Sequence, residues 1–166
     1  MILANDGRIT SLRWQLFMRQ PQTGNLIGIS GVQMFATVGG SNLATTPANG
    51  STSSTGSNPG NAFDGSSATN FTSTSSTERL IYAFGSAQSI ALVRVTARND
   101  GSFAQAPTKI SVCAEDEFGA WPIIASVDQL TWSQGSSVDI PVDNLIEAIR
   151  QQRIISSRFI AGALVP

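Results

Sequence analysis

The stretch "SIALVRVTAR", Ser89–Arg98, sets Ala91, Val93, Val95 and Ala97 on one side of an extended chain and Ile90, Leu92, Arg94, Thr96 and Arg98 on the other. Side chains of a strand alternate between two faces, so this period of two is the signature of a strand with one face in a core. The same period recurs along the chain. "LRWQLFM", Leu12–Met18, sets Leu12, Trp14 and Leu16 against Arg13 and Gln15, and "TKISVCA" after Pro107 alternates Ile110, Val112 and Ala114. "LIGISGVQMFATV", Leu26–Val38, is rich in β-formers but carries Gly28 and Gly31, which predict a bend or bulge. "RLIYAFG" reads as a strand ending at Gly85, and Ile123–Leu130 and Ser136–Val142 read as two more. Turn signals stand between these segments at Pro21–Gly24, Gly39–Asn42 and Asn99–Ser102, and in the acidic turn Glu115–Glu117 that leads through Gly119 to Trp121. Short strands punctuated roughly every ten residues constrain the fold to an antiparallel sandwich or barrel.

One segment breaks the rhythm. Between Thr37 and Thr77 the only charged residue is Asp64, in a run of Ser, Thr, Gly, Asn, Ala and Pro. Composition alone would make Thr45–Ser57 a flexible linker. The tract also holds Ala62, Phe63 and Phe71, which want burial, and its flanks have the same strand character, so a single sandwich over residues 1–142 is the expectation. Asp64 is followed at once by Gly65. That pairing predicts an Asx-turn, the carboxylate accepting from its own loop's amides while the glycine takes a left-handed conformation.

Charged residues make up 13% of the 166, about half the usual share of a soluble domain. The net charge is −1 and no basic stripe runs through the sequence, so no nucleic-acid partner is expected. Cys113 is the single cysteine and has apolar neighbours, which predicts a small buried hydrophobe rather than a disulfide or a reactive thiol. The opening Met1–Asp6 lacks a basic and then apolar signal region, and no apolar run is long enough for a membrane span, so neither export by a signal peptide nor membrane insertion is expected.

The end of the chain differs. Asn144 and Glu147 have capping-box spacing, and Leu145, Ile146 and Ile149 share a helical face, predicting a short helix to about Arg153. "RIISSRFIAGALVP" then reads as an extended segment too apolar for a free tail. Residues 143–166 are therefore expected to form a docking extension, with Ile154, Ile155, Phe159, Ile160 and Leu164 as its contacts.

Taken in order, the motifs resemble a known family. "NAFDGSSATNF", with Ala62, Phe63, Asp64, Gly65, Thr69 and Phe71, resembles a loop of discoidin-like, coagulation-factor type C-like domains of the galactose-binding-like group. "IYAFGSAQSIALVRV" and "APTKISVCAEDEFGAW" resemble the family's following strand units. "LRWQLFMRQPQTGNLIGISGVQMFA" resembles its closing hairpin, yet here it comes first, a permuted order similar to that of structural proteins of tailed bacteriophages. The likeness spans roughly Leu12–Val142 and implies an all-β, antiparallel jelly-roll sandwich.

The resemblance also implies sites. A structural calcium in the Asp64 loop would use Asp64, Ser66 and Thr69; apart from that calcium no cofactor is expected. Against it, Ser66 stands where calcium-binding versions often carry Asn or Asp, and Gly31 falls where the family often supplies an acid. The Asx-turn and the calcium readings both remain open. Sugar sites in this fold lie in loops at one end of the sandwich, here "ARNDGSFAQAP", offering Arg98, Asn99, Asp100 and Phe103, with Phe71 or Trp132 as further aromatics.

Catalysis finds little to use. The chain has no histidine, which removes the commonest general base and the usual nucleophile partners, so no enzyme activity is expected. The leading expectation is a non-enzymatic structural protein of a bacteriophage particle, made in the host cytoplasm, located in the virion and docked to other virion proteins in an oligomeric assembly. The alternative is a carbohydrate-binding adhesin whose partner is a host surface glycan.

Overall fold

The computed structural model describes residues 2–3, 9–45, 51–53 and 55–142. The helix expected from Asn144 and the docking residues Ile154, Ile155, Phe159, Ile160 and Leu164 lie outside the described residues.

Among the described residues ten strands follow in chain order: β1 Ile2–Leu3, β2 Ile9–Pro21, β3 Gly28–Phe35, β4 Thr52–Ser53, β5 Phe71–Thr72, β6 Thr77–Ser89, β7 Leu92–Ala97, β8 Pro107–Ala114, β9 Ile123–Val127 and β10 Ser137–Pro141. They form two antiparallel sheets. The larger runs β4-β6-β2-β8-β9 with β1 paired to the start of β2, and the smaller runs β10-β7-β3-β5. From β2 to β8 each strand passes to the opposite sheet from the one before, the crossing pattern of a jelly roll. The fold is an all-β sandwich. Among the described residues no helix is long and apolar enough to cross a membrane.

The core fills from the inner faces of both sheets. Trp14, Leu16 and Met18 of β2, Leu80 of β6 and Ile110, Val112 and Ala114 of β8 meet Ile29, Val32 and Met34 of β3 and Val93, Val95 and Ala97 of β7. The shift from odd to even positions within β3 comes from a bulge between Ile29 and Gly31, where its register against β7 slips. At the start of β2 the simple alternation fails. Register against β6 shifts between Ser11 and Arg13, so Leu12 stands 52% exposed instead of joining Trp14, and Ile9 enters the core. The Ser11 hydroxyl holds this irregularity, accepting from the Arg13 amide (3.1 Å) and donating to the Glu115 carbonyl (2.9 Å). Nor does β6 stop at Gly85. It continues to Ser89, because Gln88 and Ser89 find backbone partners in Ser11 and Thr10.

The charge-poor tract is built into the sandwich. Thr52 and Ser53 pair with Ile81 and Leu80 of β6. Ala62, Phe63 and Phe71 are buried, and the Phe63 ring meets Tyr82 edge-on with centroids 4.7 Å apart. Glu78, wholly buried, accepts from the Thr55 amide (3.2 Å), the Thr55 hydroxyl (2.7 Å) and the Arg79 amide (2.8 Å).

Candidate binding face on the larger sheet

At the loop end of the sandwich, Arg98 leaves β7 with its side chain only 18% exposed. Its Nε and Nη2 donate to both oxygens of Asp100, at 3.1 and 2.6 Å, and its Nη1 reaches Thr72 Oγ1 (3.2 Å) and Gln105 Oε1 (3.1 Å). The guanidinium thus clips three segments together. Asp100 also accepts from the Ser102 amide, and these bonds, the Arg98 one foremost, hold its carboxyl below its ordinary value. Asn99 is exposed and its carbonyl accepts from Gln134 Nε2 (3.2 Å). Phe103 packs partly buried against the core. Phe71 is fully buried and so offers no ring face to a sugar, and Trp132 is a core residue whose Nε1 donates to the Pro107 carbonyl (2.8 Å). Of the expected sugar contacts the structure brings Arg98, Asn99 and Asp100 together and leaves Phe71 and Trp132 inside.

The Asp64 loop closes on itself. Oδ1 accepts from the Ser66 amide at 2.8 Å, Oδ2 accepts from the Thr69 hydroxyl, and Gly65 takes φ +71°. Asp64, Ser66 and Thr69 therefore meet, as an Asx-turn with both carboxylate oxygens engaged. Calcium takes ~6–8 oxygens and gains affinity with each carboxylate, whereas this loop supplies one. Among the described residues no three His, Cys, Asp or Glu side chains gather as a metal would require.

A third place emerges only from the strand order. Residues directly opposite each other in neighbouring strands share a face. On the outer side of the larger sheet this aligns Thr52, Ile81, Gln15, Cys113 and Ile123 in one row, Arg79, Phe17 and Ser111 in the next, and Thr77, Arg19 and Lys109 beyond. Trp121, between β8 and β9, stands beside them. Together Gln15, Phe17, Thr52, Ser53, Arg79, Ile81, Cys113, Trp121 and Ile123 line a groove of ≈ 410 Å³.

Guanidinium groups surround its rings. Arg13 lies over Trp121 at 5.3 Å, while Arg19 and Arg79 lie over Phe17 at 4.6 and 5.3 Å. Arg13 also pairs with Glu115 at 2.7 Å, and Arg19 Nη2 donates to Ser111 Oγ at 2.8 Å. Burial pushes the Cys113 thiol up, against a hydrogen bond to Gln15 and the positive charge of Arg19 and Arg79. Elsewhere on the sandwich, Arg94 is held by Asp139 through two hydrogen bonds at 2.6 and 2.8 Å, which keep the Asp139 carboxyl below its ordinary value.

Sequence reasoning named Arg13 and Gln15 only as the outward side of a strand. The readable signal was that this side continues as Phe17 and Arg19, an aromatic between cations where a plain solvent face carries neutral polar groups. No family model matches the sequence, and no curated protein or solved structure matches it.

Proposed function

We propose that this chain is a non-enzymatic structural module of a tailed-bacteriophage particle that docks to other virion proteins and holds a host surface polysaccharide in the groove of its larger sheet. The groove carries the recognition half of this reading. Its volume of ≈ 410 Å³ falls within the ~300–1,000 Å³ of small-ligand sites. Its lining sets the rings of Phe17 and Trp121 beside the amide of Gln15, the hydroxyls of Thr52 and Ser53 and the guanidinium of Arg79, a mixture suited to the apolar faces and hydroxyl edges of sugars. Support for the particle half comes from strand order: β2, part of the hairpin that resembles a discoidin-like closing hairpin, comes early in the chain and lies in the middle of the larger sheet, between β6 and β8.

The two halves are tested separately. Antibodies raised against the folded chain should label intact particles in electron microscopy of a producing lysate; particles without label would remove the virion assignment. Binding of the purified chain to immobilised bacterial polysaccharides should be abolished by Trp121→Ala with the melting temperature preserved. Binding indifferent to that change would take recognition away from the groove.

A further inference from the structure

A cleft of ≈ 300 Å³ lies between the start of β2, the end of β6 and the acidic turn Glu115–Glu117. We propose that it seats the chain's own segment Arg153–Ile160, folded back from the end of β10. The cleft shares no lining residue with the Trp121 groove, so this seat stands whatever that groove holds. Its apolar lining is Leu12, 52% exposed through the register shift in β2, and Ala87. The acidic turn also carries Phe118, 87% exposed. Against the three carboxylates of that turn the described residues set one paired cation, Arg13 on Glu115. Asp116 Oδ1 accepts from the Phe118 and Ala120 amides, at 2.9 and 2.8 Å, which fixes the turn without neutralising it. Glu117 stands exposed. These acids do not gather as a metal would require. An exposed leucine beside uncompensated carboxylates fits an occupant that is both apolar and positive.

The chain carries such a segment. From Ala148 onward it has Arg150, Arg153 and Arg158 and no acidic residue. Arg153 is followed by Ile154 and Ile155, and Arg158 by Phe159 and Ile160, so each of these cations leads an apolar pair. The end of β10 also lies in the right place. The Val142 amide donates to the Ala91 carbonyl at 2.9 Å, and Ser89, two residues before Ala91, pairs with Thr10 of the cleft. Those steps put Val142 within about 20 Å of the cleft. The ten residues between Val142 and Arg153 span up to ~33–36 Å when extended, so the segment reaches with slack. A tether this short holds it at roughly millimolar effective concentration, which favours the chain's own segment over one from a second copy in dilute solution.

The test is the rate of trypsin cleavage after Arg153 in the full chain, followed by mass spectrometry. Cleavage requires the segment to leave its seat, so the rate tracks the open population. The wild-type chain is expected to be cut about tenfold or more slowly than a synthetic peptide of residues 148–166. Leu12→Ser removes a half-exposed side chain outside the core and should speed cutting about tenfold, the worth of an apolar contact of that size. Glu117→Gln should speed it about two- to threefold, as a charge at a wet rim does, and added salt should act in the same direction. Circular dichroism checks that each variant keeps its sheets. Wild type cut as fast as the peptide would overturn the proposal, and so would protection that survives both variants. Protection that grows with protein concentration would give the cleft to a second copy. Protection lost on Trp121→Ala and kept in Leu12→Ser would put the segment in the other groove, and either result would overturn the proposal as well.

Discussion

Gly56 lies within the run of small polar residues that composition alone would treat as a linker. A methyl group added there would sit 2.5 Å from Cε2 and Cζ of Phe71 and 3.0 Å from the Thr72 carbonyl oxygen. Carbon atoms in good contact stand ~3.5–4.0 Å apart, so the ring or the loop must move by about 1 Å. Phe71 is fully buried and cannot swing into solvent. Gly56 is not among the positive-φ glycines, so alanine meets no backbone penalty and the conflict is purely steric. Overpacking of this kind costs roughly 1–3 kcal/mol. A loss of about 2 kcal/mol would lower the melting temperature of a chain this size by about 4–8 °C. A flexible linker predicts the opposite sign, because Gly→Ala at an unstrained site stabilises by about 0.4–1 kcal/mol through the unfolded state. Urea unfolding of wild type, Gly56→Ala, Phe71→Leu and the double variant decides between them. The packing argument requires Gly56→Ala to cost less once Phe71 is leucine, a coupling of roughly 0.5–3 kcal/mol. A Gly56→Ala protein as stable as wild type, or strictly additive variants, would refute it.

Three further outcomes are expected. Asp64→Ala removes the acceptor for the Ser66 amide and the Thr69 hydroxyl and should cost about 1–2 kcal/mol; millimolar calcium or EDTA should leave the wild-type melting temperature unchanged, and a rise with calcium alone would restore a metal to this loop. Asp100 and Asp139 have folded pKa values below their ordinary 3.8, so their contribution to stability is complete above that value and is lost as pH falls through the folded pKa. With no histidine in the chain, stability should be nearly level from about pH 6 to 8 and fall on the acid side, more shallowly in an Asp100→Asn, Asp139→Asn variant; a slope across neutrality would contradict this. Burial raises the Cys113 thiol, so an aromatic disulfide reagent should modify it slowly in the native protein and fast in urea, and equal rates would show the thiol to be open.

Much of the frame is legible in the amino-acid order because its cause is local. Alternation in Ser89–Arg98, in Leu12–Met18 and after Pro107 marks strands, since one face of each must leave water, and the glycine and acidic turns mark where they end. Asp64 beside Gly65 announces its own turn, because the groups it binds lie within five residues. What only the tertiary structure decided depends on partners far apart in the chain. Leu12 lost its place in the core to a register shift set by β6, more than seventy residues away. The extension of β6 beyond Gly85 needed Thr10 and Ser11 beside it. Arg98 looked available for a ligand until Thr72 and Gln105 arrived to take its donors. The groove belongs to no one segment: Gln15 and Phe17, Thr52, Arg79, Cys113 and Trp121 become neighbours only when β4, β6, β2, β8 and β9 line up in that order. Periodicity tells each strand which side chains face out, but the company they keep there is set by pairing, and pairing is a property of the whole sheet.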